Sequence, residues 1–283
     1  MKKVWNLAGF ALFALTAYIS VGTTLLPKTA DAEITTNGPN VVNVVAKEYK
    51  YEMPDSLPAG PTLFQFTDNG NQLHHMTLVK LEQGKTLADF TALPPGPPPK
   101  WAVFMGGPNT PLPHGGQDED IVDLTAGNYA VICVIPDKDG KPHMMKGMAK
   151  ALTVMPSSQA LTIPSSDLTL TLSNYSFAFS TPPAAGKHII TIVNKGSQPH
   201  EAEIFRLMPG KKGEDIANWV FTGMQGPPPG APVAGITPEA PGKKNTLLID
   251  LKSGDYALIC FMPDAKDGKP HATHGMIYNF KVG

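Results

Sequence analysis

The sequence predicts an all-β protein made of two tandem Greek-key β-sandwiches, each with one short helical excursion. Three observations predict it. The 283-residue chain repeats itself with an offset of 126 to 128 residues. Each copy contains short runs rich in β-branched and aromatic residues, bounded by Gly, Pro, Asn or Asp. Each copy also contains only one segment with a helical pattern.

The strand-like runs recur in the same order in both copies. We predict helices near residues 86–92 and 214–221, and a linker at residues 155–167. The predicted strands of the first copy are residues 41–46, 62–67, 75–81, 121–124 and 128–135, and those of the second are 168–172, 188–193, 201–207, 246–251 and 255–261.

The repeat identifies one histidine common to both copies. The segment GNQLHHMTLVKL (residues 70–81) aligns with GSQPHEAEIFRL (residues 196–207). This alignment pairs His74 with His200 and places His75 opposite Glu201. His74 and His200 are therefore the equivalent histidines of the two copies.

A second repeated segment contains the two cysteines of the chain. CVIPDKDGKPHMMKGM starts at Cys133, and CFMPDAKDGKPHATHGM starts at Cys260. Each segment places a histidine and then a methionine after its cysteine, which are His143 and Met148 in the first copy and His271 and Met276 in the second.

The first 32 residues have the pattern of a secretory signal peptide. Lys2 and Lys3 precede a long apolar run, and Ala30-Asp31-Ala32 precedes a predicted cleavage before Glu33. An uncleaved membrane anchor is the alternative, since the apolar run is long enough to span a bilayer. In both cases the folded part lies outside the cytoplasm, in the periplasm or secreted. The predicted domains are residues 33–157 and 158–283.

The charge of the chain disfavours polyanionic partners. Without residues 1–32, the chain has 20 basic and 23 acidic residues, a net charge of −3. We therefore expect no binding of nucleic acid and no membrane association after signal cleavage. A disulfide between two cysteines at equivalent internal positions is disfavoured, and a bound metal would protect these thiols from oxidation.

The repeated residues form a set of ligand types that suits copper. Two imidazoles, a thiolate and a weak axial thioether provide the trigonal geometry of electron-transfer copper, which accommodates both Cu(I) and Cu(II). Zinc also accepts Cys and His, but the thioether at a fixed spacing favours copper. The predicted ligands are His74, Cys133, His143 and Met148 in the first copy, and His200, Cys260, His271 and Met276 in the second.

With these motifs, the sequence resembles the cupredoxins, the blue-copper family. The resemblance covers both repeats and rests on the upstream histidine together with C-x₉-H-x₄-M and C-x₁₀-H-x₄-M, with Pro136 and Pro263 three residues after the cysteines. It implies Cys and two His as strong ligands, Met as the axial ligand, and two coppers per chain.

Some assignments within this resemblance stay open. His75, Met144, Met145 or His274 could replace an assigned ligand. The residue after the first histidine, often Asn in the family, is His75 or Glu201, so we expect the hydrogen bond that stiffens the ligand loop to come from elsewhere.

The expected function is one-electron transfer outside the cytoplasm, with redox partner proteins or copper donors as partners. Catalytic coppers of related two-domain proteins use a histidine directly before the cysteine or His-x-His motifs. Here Ile132 and Ile259 precede the cysteines and no His-x-His occurs, so we expect no enzyme. The alternatives are a non-redox copper-delivery protein, suggested by Met144, Met145 and Met148, and a metal-free structural sandwich.

Overall fold

The structure is a computed structural model that describes residues 38–94 and 96–283. The predicted signal peptide, residues 1–32, lies outside the described residues. No helix among the described residues is long and apolar enough to cross a membrane.

Repeat 1 is the first sandwich and comprises nine strands and one α-helix. The helix α1 is Leu87–Thr91, and the Thr86 hydroxyl accepts a hydrogen bond from the Asp89 amide at its N-terminus. The strands are β1 Asn40–Lys47, β2 Lys50–Glu52, β3 Ser56–Pro58, β4 Gly60–Asp68, β5 Thr77–Leu81, β6 Ala102–Gly106, β7 Gly116–Leu124, β8 Gly127–Ile132 and β9 Ala149–Met155.

Repeat 2 is the second sandwich and comprises eight strands and one α-helix. The helix α2 is Gly213–Phe221. The strands are β10 Leu168–Ser173, β11 Ser176–Phe179, β12 Gly186–Asn194, β13 His200–Leu207, β14 Gly230–Glu239, β15 Lys244–Leu251, β16 Gly254–Ile259 and β17 Ile277–Val282.

The two repeats share both of their sheets. One sheet has the order β11-β10-β12-β15-β7-β4-β1-β2, and the other has the order β17-β16-β13-β14-β6-β5-β8-β9-β3. The repeats meet where β15 pairs with β7 and where β14 pairs with β6, both antiparallel. Strand edges that would otherwise be exposed are therefore paired within the chain.

The core of each repeat lies between the two sheets. Alternating residues of the strands point inward, as in β10, where Leu168, Leu170 and Leu172 are buried. The side chains of Cys133 and Met148 belong to the core of repeat 1, and those of Cys260 and Met276 to the core of repeat 2. The loop residues that the sequence analysis selected are thus anchored in the most densely packed parts of the molecule.

A buried carboxylate joins the two repeats. Asp118 Oδ2 accepts hydrogen bonds from the amide of Asn109 in repeat 1 (2.9 Å) and the amide of Gly235 in repeat 2 (3.1 Å). Asn245, at the position equivalent to Asp118, donates to the carbonyl of Met105 across the same junction (3.0 Å). The junction is thus held by polar contacts as well as by strand pairing.

The predicted all-β sandwich with one helical excursion per repeat is confirmed. The predicted strand at residues 128–135 is too long, because β8 ends at Ile132 and Cys133 begins the ligand loop. The predicted strand at residues 75–81 likewise starts only at Thr77. The short strands β2, β3 and β6 were not predicted. The domain boundary between residues 157 and 158 stays a prediction.

Candidate metal centres

Cluster 1 consists of His74, Cys133 and His143, whose side chains converge in the core of repeat 1. The two Nδ1 atoms are 3.1 Å apart, and the Cys133 Sγ lies 3.5 Å from Nδ1 of His143. All three residues are fully buried. One ligand atom from each residue lies within 4.8 Å of the others, so a single ion could contact all three.

Cluster 2 consists of His200, Cys260 and His271 and repeats this geometry. The Nδ1 atoms are 3.0 Å apart, and the Cys260 Sγ lies 3.3 Å from Nδ1 of His271 and 4.0 Å from Nδ1 of His200. These residues are also fully buried. The chain thus contains two nearly identical sets of one sulfur and two nitrogen atoms.

The ligand loop returns the second histidine to its cysteine by a short 3₁₀ helix. In repeat 1 this helix is His143–Lys146, and Gly147 ends it with a φ of 108° that favours glycine. The amide of His143 donates to the Ile135 carbonyl (2.9 Å), and the Cys133 amide donates to the Met148 carbonyl (3.2 Å). These bonds hold both ends of the loop together.

The equivalent 3₁₀ helix of repeat 2 is His271–His274, which ends at Gly275 with a φ of 95°. The loop of repeat 2 is one residue longer, but its amides make the same bonds: His271 to the Met262 carbonyl (2.8 Å) and Cys260 to the Met276 carbonyl (3.2 Å). The extra residue therefore leaves the cluster geometry unchanged.

The cysteine thiols lie in apolar surroundings that oppose ionisation. Burial raises the pKa of Cys133 to about 12, and burial also raises the pKa of Cys260 well above its usual value. Two backbone amides, those of His75 and Ile135, hydrogen-bond to the Cys133 sulfur and act in the opposite direction. A bound cation would shift this balance further, because metal binding displaces the thiol proton.

The cluster histidines are suited to coordination at neutral pH. Burial lowers the pKa of His74 and of His200 to about 4, and burial also lowers the pKa of His143 and of His271. All four imidazoles are therefore neutral at pH 7 and each can offer a lone pair.

A polar side chain on a neighbouring turn orients the first histidine. In repeat 2, Oδ1 of Asn174 lies 3.0 Å from Nε2 of His200. In repeat 1, the equivalent Glu48 Oε1 lies 3.7 Å from Nε2 of His74, beyond hydrogen-bond distance, and this nitrogen has no hydrogen-bond partner among the described residues. In repeat 2 the acceptor at Nε2 favours the tautomer that leaves the Nδ1 lone pair of His200 free for a metal.

The residue after the first histidine fixes the ligand loop in both repeats. His75 Nε2 accepts the amide hydrogen of Val134 (2.9 Å), and Glu201 Oε1 accepts that of Phe261 (2.7 Å). The expectation that this hydrogen bond comes from elsewhere was wrong. Imidazole and carboxylate both accept a hydrogen bond, so either can occupy the position where the family often has Asn.

A tyrosine covers the second histidine of each cluster. Tyr49 packs edge-on against His143 with ring centroids 5.2 Å apart, and Tyr175 packs against His271 at 5.5 Å. Both tyrosines have a left-handed backbone, with φ of 64° and 65°. Bulky residues rarely adopt this conformation, and its presence at equivalent turns of both repeats marks a conserved structural feature of the duplication.

The alternative ligands lie outside the two clusters. Met145 is 73% exposed, and Met144 packs against an apolar group on the helix side of the sheet. His274 lies at the surface, 3.2 Å from Asp267. His75 is held by Val134 as described above. Met148 and Met276 are fully buried beside their clusters in sequence, and their role as axial ligands stays a prediction.

The donor sets fit a copper ion. A metal bound at ~2.0 Å to nitrogen and ~2.3 Å to sulfur in a trigonal plane places these ligand atoms roughly 3.5 Å apart. The observed separations are close to this value, at 3.1 and 3.5 Å in cluster 1 and from 3.0 to 4.0 Å in cluster 2. The buried, neutral N₂S set is of the type that copper prefers.

No protein-family model matches the sequence, and no curated protein matches it. Solved structures do match. Reduced auracyanin from the photosynthetic bacterium Roseiflexus castenholzii is 20% identical and covers 42% of this chain and 99% of its own, with a TM-score of 0.30. The likeness is therefore to one repeat.

Other solved structures match both repeats. A multicopper oxidase is 12% identical and covers 86% of this chain and 88% of its own, with a TM-score of 0.27. Copper nitrite reductase from Nitrosomonas europaea is 14% identical and covers 87% of this chain and 93% of its own, with a TM-score of 0.24. At these identities the likeness concerns the fold alone.

These two-domain structures correct one expectation from the sequence. The expectation that the chain is not an enzyme is contradicted, because the solved structures that span both repeats include an oxidase and a reductase. The physical reason is that a missing His-Cys pair or His-x-His motif excludes only one arrangement of ligands. A site assembled from distant residues leaves no such motif.

Sequence reasoning missed the residues that surround the ligands. Tyr49 and Tyr175, like Glu48 and Asn174, occur at the same offset of 126 residues as the first histidines. An alignment of the two repeats, inspected at every polar position whether the residue is the same or different in the two copies, would have found them. That they contact the imidazoles could not be read from spacing, since they lie on a turn distant in sequence.

Proposed function

We propose that the chain is a copper protein that holds one type 1-like copper in each repeat and carries single electrons outside the cytoplasm. The observation that carries this proposal is the duplicated convergence of one Sγ and two Nδ1 atoms in a buried, preorganised site. A bound copper would supply a one-electron couple. His74, Cys133 and His143 would hold one ion, and His200, Cys260 and His271 the other, with Met148 and Met276 as additional ligands.

The chain's own residues support a site that changes little between oxidation states. In repeat 2 the contact of Asn174 with Nε2 leaves the Nδ1 lone pair of His200 free for a metal, and in repeat 1 Glu48 lies 3.7 Å from Nε2 of His74. The ligand loops are fixed by the bonds from Val134 and Phe261. Ligands that are held in place before binding need little rearrangement when an electron moves.

The half-buried tyrosines suggest how each cluster communicates with the surface. Tyr49 and Tyr175 each contact the buried second histidine of a cluster and are themselves partly exposed, so each connects an imidazole with the surface. A redox partner protein docked at either turn would approach the cluster through one aromatic ring.

The copper-delivery alternative loses the observation that suggested it. Met144, Met145 and Met148 do not form a common site: one packs against the helix side of the sheet, one is exposed and one is in the core. The structure therefore offers no methionine cluster for Cu(I) in this loop, and electron transfer is the better-supported proposal.

A reductive titration tests the proposed function. We expect copper-loaded protein to have a visible thiolate-to-copper absorption band that disappears after two electrons per chain and returns on reoxidation. His143→Ala should remove about half of the band, and the matched control His114→Asn, at an exposed histidine with a left-handed backbone, should leave it unchanged. A colourless copper protein, or a band that does not return, would contradict the proposal.

A further inference from the structure

A cavity of about 510 Å³ lies between the two repeats. Its walls include the residues that directly follow the first histidine and the cysteine of each cluster, namely His75, Val134, Glu201 and Phe261. Its size falls within the range of small-molecule binding sites. Neither cluster histidine nor cysteine lines it, so it is separate from both candidate metal centres.

One strand provides a row of side chains to this cavity. Glu201, Glu203 and Phe205 alternate along β13 and all face the cavity, as the two-residue period of a strand requires. Trp219 from α2 and Phe261 add further aromatic surface. The cavity therefore combines two adjacent carboxyl groups with aromatic and aliphatic walls.

The two carboxyl groups have no cationic partner. No Lys or Arg lines the cavity. His75 offers no positive charge, because its Nε2 accepts a hydrogen bond from the Val134 amide. Glu203 lies beside Thr110, whose hydroxyl donates to Asn109 (2.7 Å). Within the described residues, neither Glu201 nor Glu203 belongs to an ion pair.

Carboxyl groups in apolar surroundings are costly, and here the protein compensates for them only with neutral groups: the Phe261 amide donates to Glu201 Oε1 (2.7 Å), and Thr110 lies beside Glu203. Burial, together with the charge of Glu201, raises the pKa of Glu203 to about 8. At pH 8 the Glu203 carboxyl is therefore about half ionised, so an anionic ligand would meet a partly negative surface, and a purely apolar ligand would remove water from both carboxyl groups. A ligand with a positive charge would compensate both groups.

We propose that this cavity binds a small organic ammonium ion, with its charged group against Glu203 and Glu201 and its apolar body against Phe205, Trp219 and Phe261. The aromatic faces add attraction for the cation beyond the ion pair. The inference does not involve copper, because none of the cluster histidines and cysteines lines the cavity.

Calorimetry on the metal-free full chain tests the proposal with three matched probes: 2-phenylethylammonium, the neutral 2-phenylethanol and the anionic 3-phenylpropanoate. We expect the ammonium ion to bind at least about tenfold more tightly than the alcohol, and the carboxylate not to bind. Glu203→Gln keeps the shape of the side chain and should weaken binding of the ammonium about tenfold.

Glu82→Gln is the matched control, because it removes one exposed carboxylate outside the cavity. It should leave binding unchanged. Thermal unfolding of both variants checks that the fold is intact, and Glu203→Gln should not lower stability at pH 8, because Glu203 is half-buried and has no cationic neighbour in the cavity. Equal binding of the ammonium and the alcohol, absence of binding, or equal weakening by Glu82→Gln would each overturn the proposal.

Discussion

Clusters 1 and 2 have the same ligands and different neighbours. Repeat 1 has Glu48, His75 and Lys146 where repeat 2 has Asn174, Glu201 and His274. One contact differs and one is alike: Asn174 Oδ1 lies 3.0 Å from Nε2 of His200 but Glu48 stays 3.7 Å from Nε2 of His74, whereas His75 and Glu201 each accept the amide that follows the cysteine. The lesson is that the hydrogen bond to the ligand loop is retained while the charge of the group that accepts it changes.

The feature that the repeats share most strictly is a glycine behind the first histidine. A Cβ added to Gly70 would lie 2.6 Å from Nε2 of His74, and one added to Gly196 would lie 2.5 Å from Nε2 of His200. We expect Gly70→Ala and Gly196→Ala each to weaken copper binding in their own repeat by about 100-fold, because the imidazole must move. Competitive copper titration measures this.

Gly210→Ala, at a glycine with open space around it, is the control for the change of residue, although its φ of 77° is itself strained for alanine. An unaltered affinity in either cluster variant would show that the imidazole moves without loss of coordination. If only one of the two variants lost copper affinity, the two clusters would not be equivalent.

The repeats differ at their junction in a way that affects stability. Asp120 in repeat 1 occupies the position of Leu247 in repeat 2, and both of its carboxylate oxygens are buried without a hydrogen-bond partner among the described residues. Burial, with the charge of Asp118 adding to it, raises the pKa of Asp120 well above its usual value. A carboxyl group whose pKa is higher in the folded than in the unfolded state favours folding while it is protonated. The stability that Asp120 contributes in this way is lost as pH rises from about 4 towards its pKa in the folded state.

Asp120→Asn should therefore be more stable than the parent chain at pH 8 by about 1–3 kcal/mol, and the difference should shrink towards pH 4. Chemical denaturation of the metal-free chain at several pH values measures it. The control is Asp123→Asn, an exposed position on the same strand β7, which should change little. A variant that is less stable at pH 8 would show that the carboxylate is satisfied in solution.

The sharpest difference between the clusters is the neutral His75 in one and Glu201 in the other. A carboxylate near copper favours Cu(II), so cluster 2 should have the lower reduction potential. At pH 8 Glu201, whose pKa burial raises to about 7, is mostly ionised. We expect Glu201→Gln to raise the potential of cluster 2 by on the order of 50 mV.

Voltammetry of the full chain with the other cluster disabled, by Cys133→Ser or Cys260→Ser, isolates each potential. His75→Gln is the matched variant of cluster 1 and should shift its potential less. A higher potential in cluster 2 would refute the role assigned to Glu201.

The repeat and the spacing of ligand types were enough to predict the fold and the residues that converge. The repeat was informative because a duplicated chain retains its ligands at a nearly constant offset, so His74 rather than His75 could be identified as the histidine common to both repeats. The surroundings could not be predicted in the same way. Tyr49 and Glu48 reach cluster 1 from a turn between β1 and β2, and such contacts depend on how the strands pack rather than on any local pattern.

The shared sheets and the cavity could not be predicted from the sequence either. A repeat indicates two similar units, but nothing in its spacing shows that β7 and β15 pair into one sheet. Glu203 lies on β13 among apolar residues, and its alternation with Glu201 and Phe205 predicts only a common face. What that face meets is decided by the other repeat.

Copper analysis of four proteins tests the central claim most directly: the parent chain, Cys133→Ser, Cys260→Ser and the double variant, each loaded with Cu(II) and freed of unbound metal. Removal of one thiolate should abolish one site and leave the other intact, because the two clusters share no residue. We expect two coppers per chain in the parent, one in each single variant and none in the double variant. Unchanged copper content in both single variants would contradict the account.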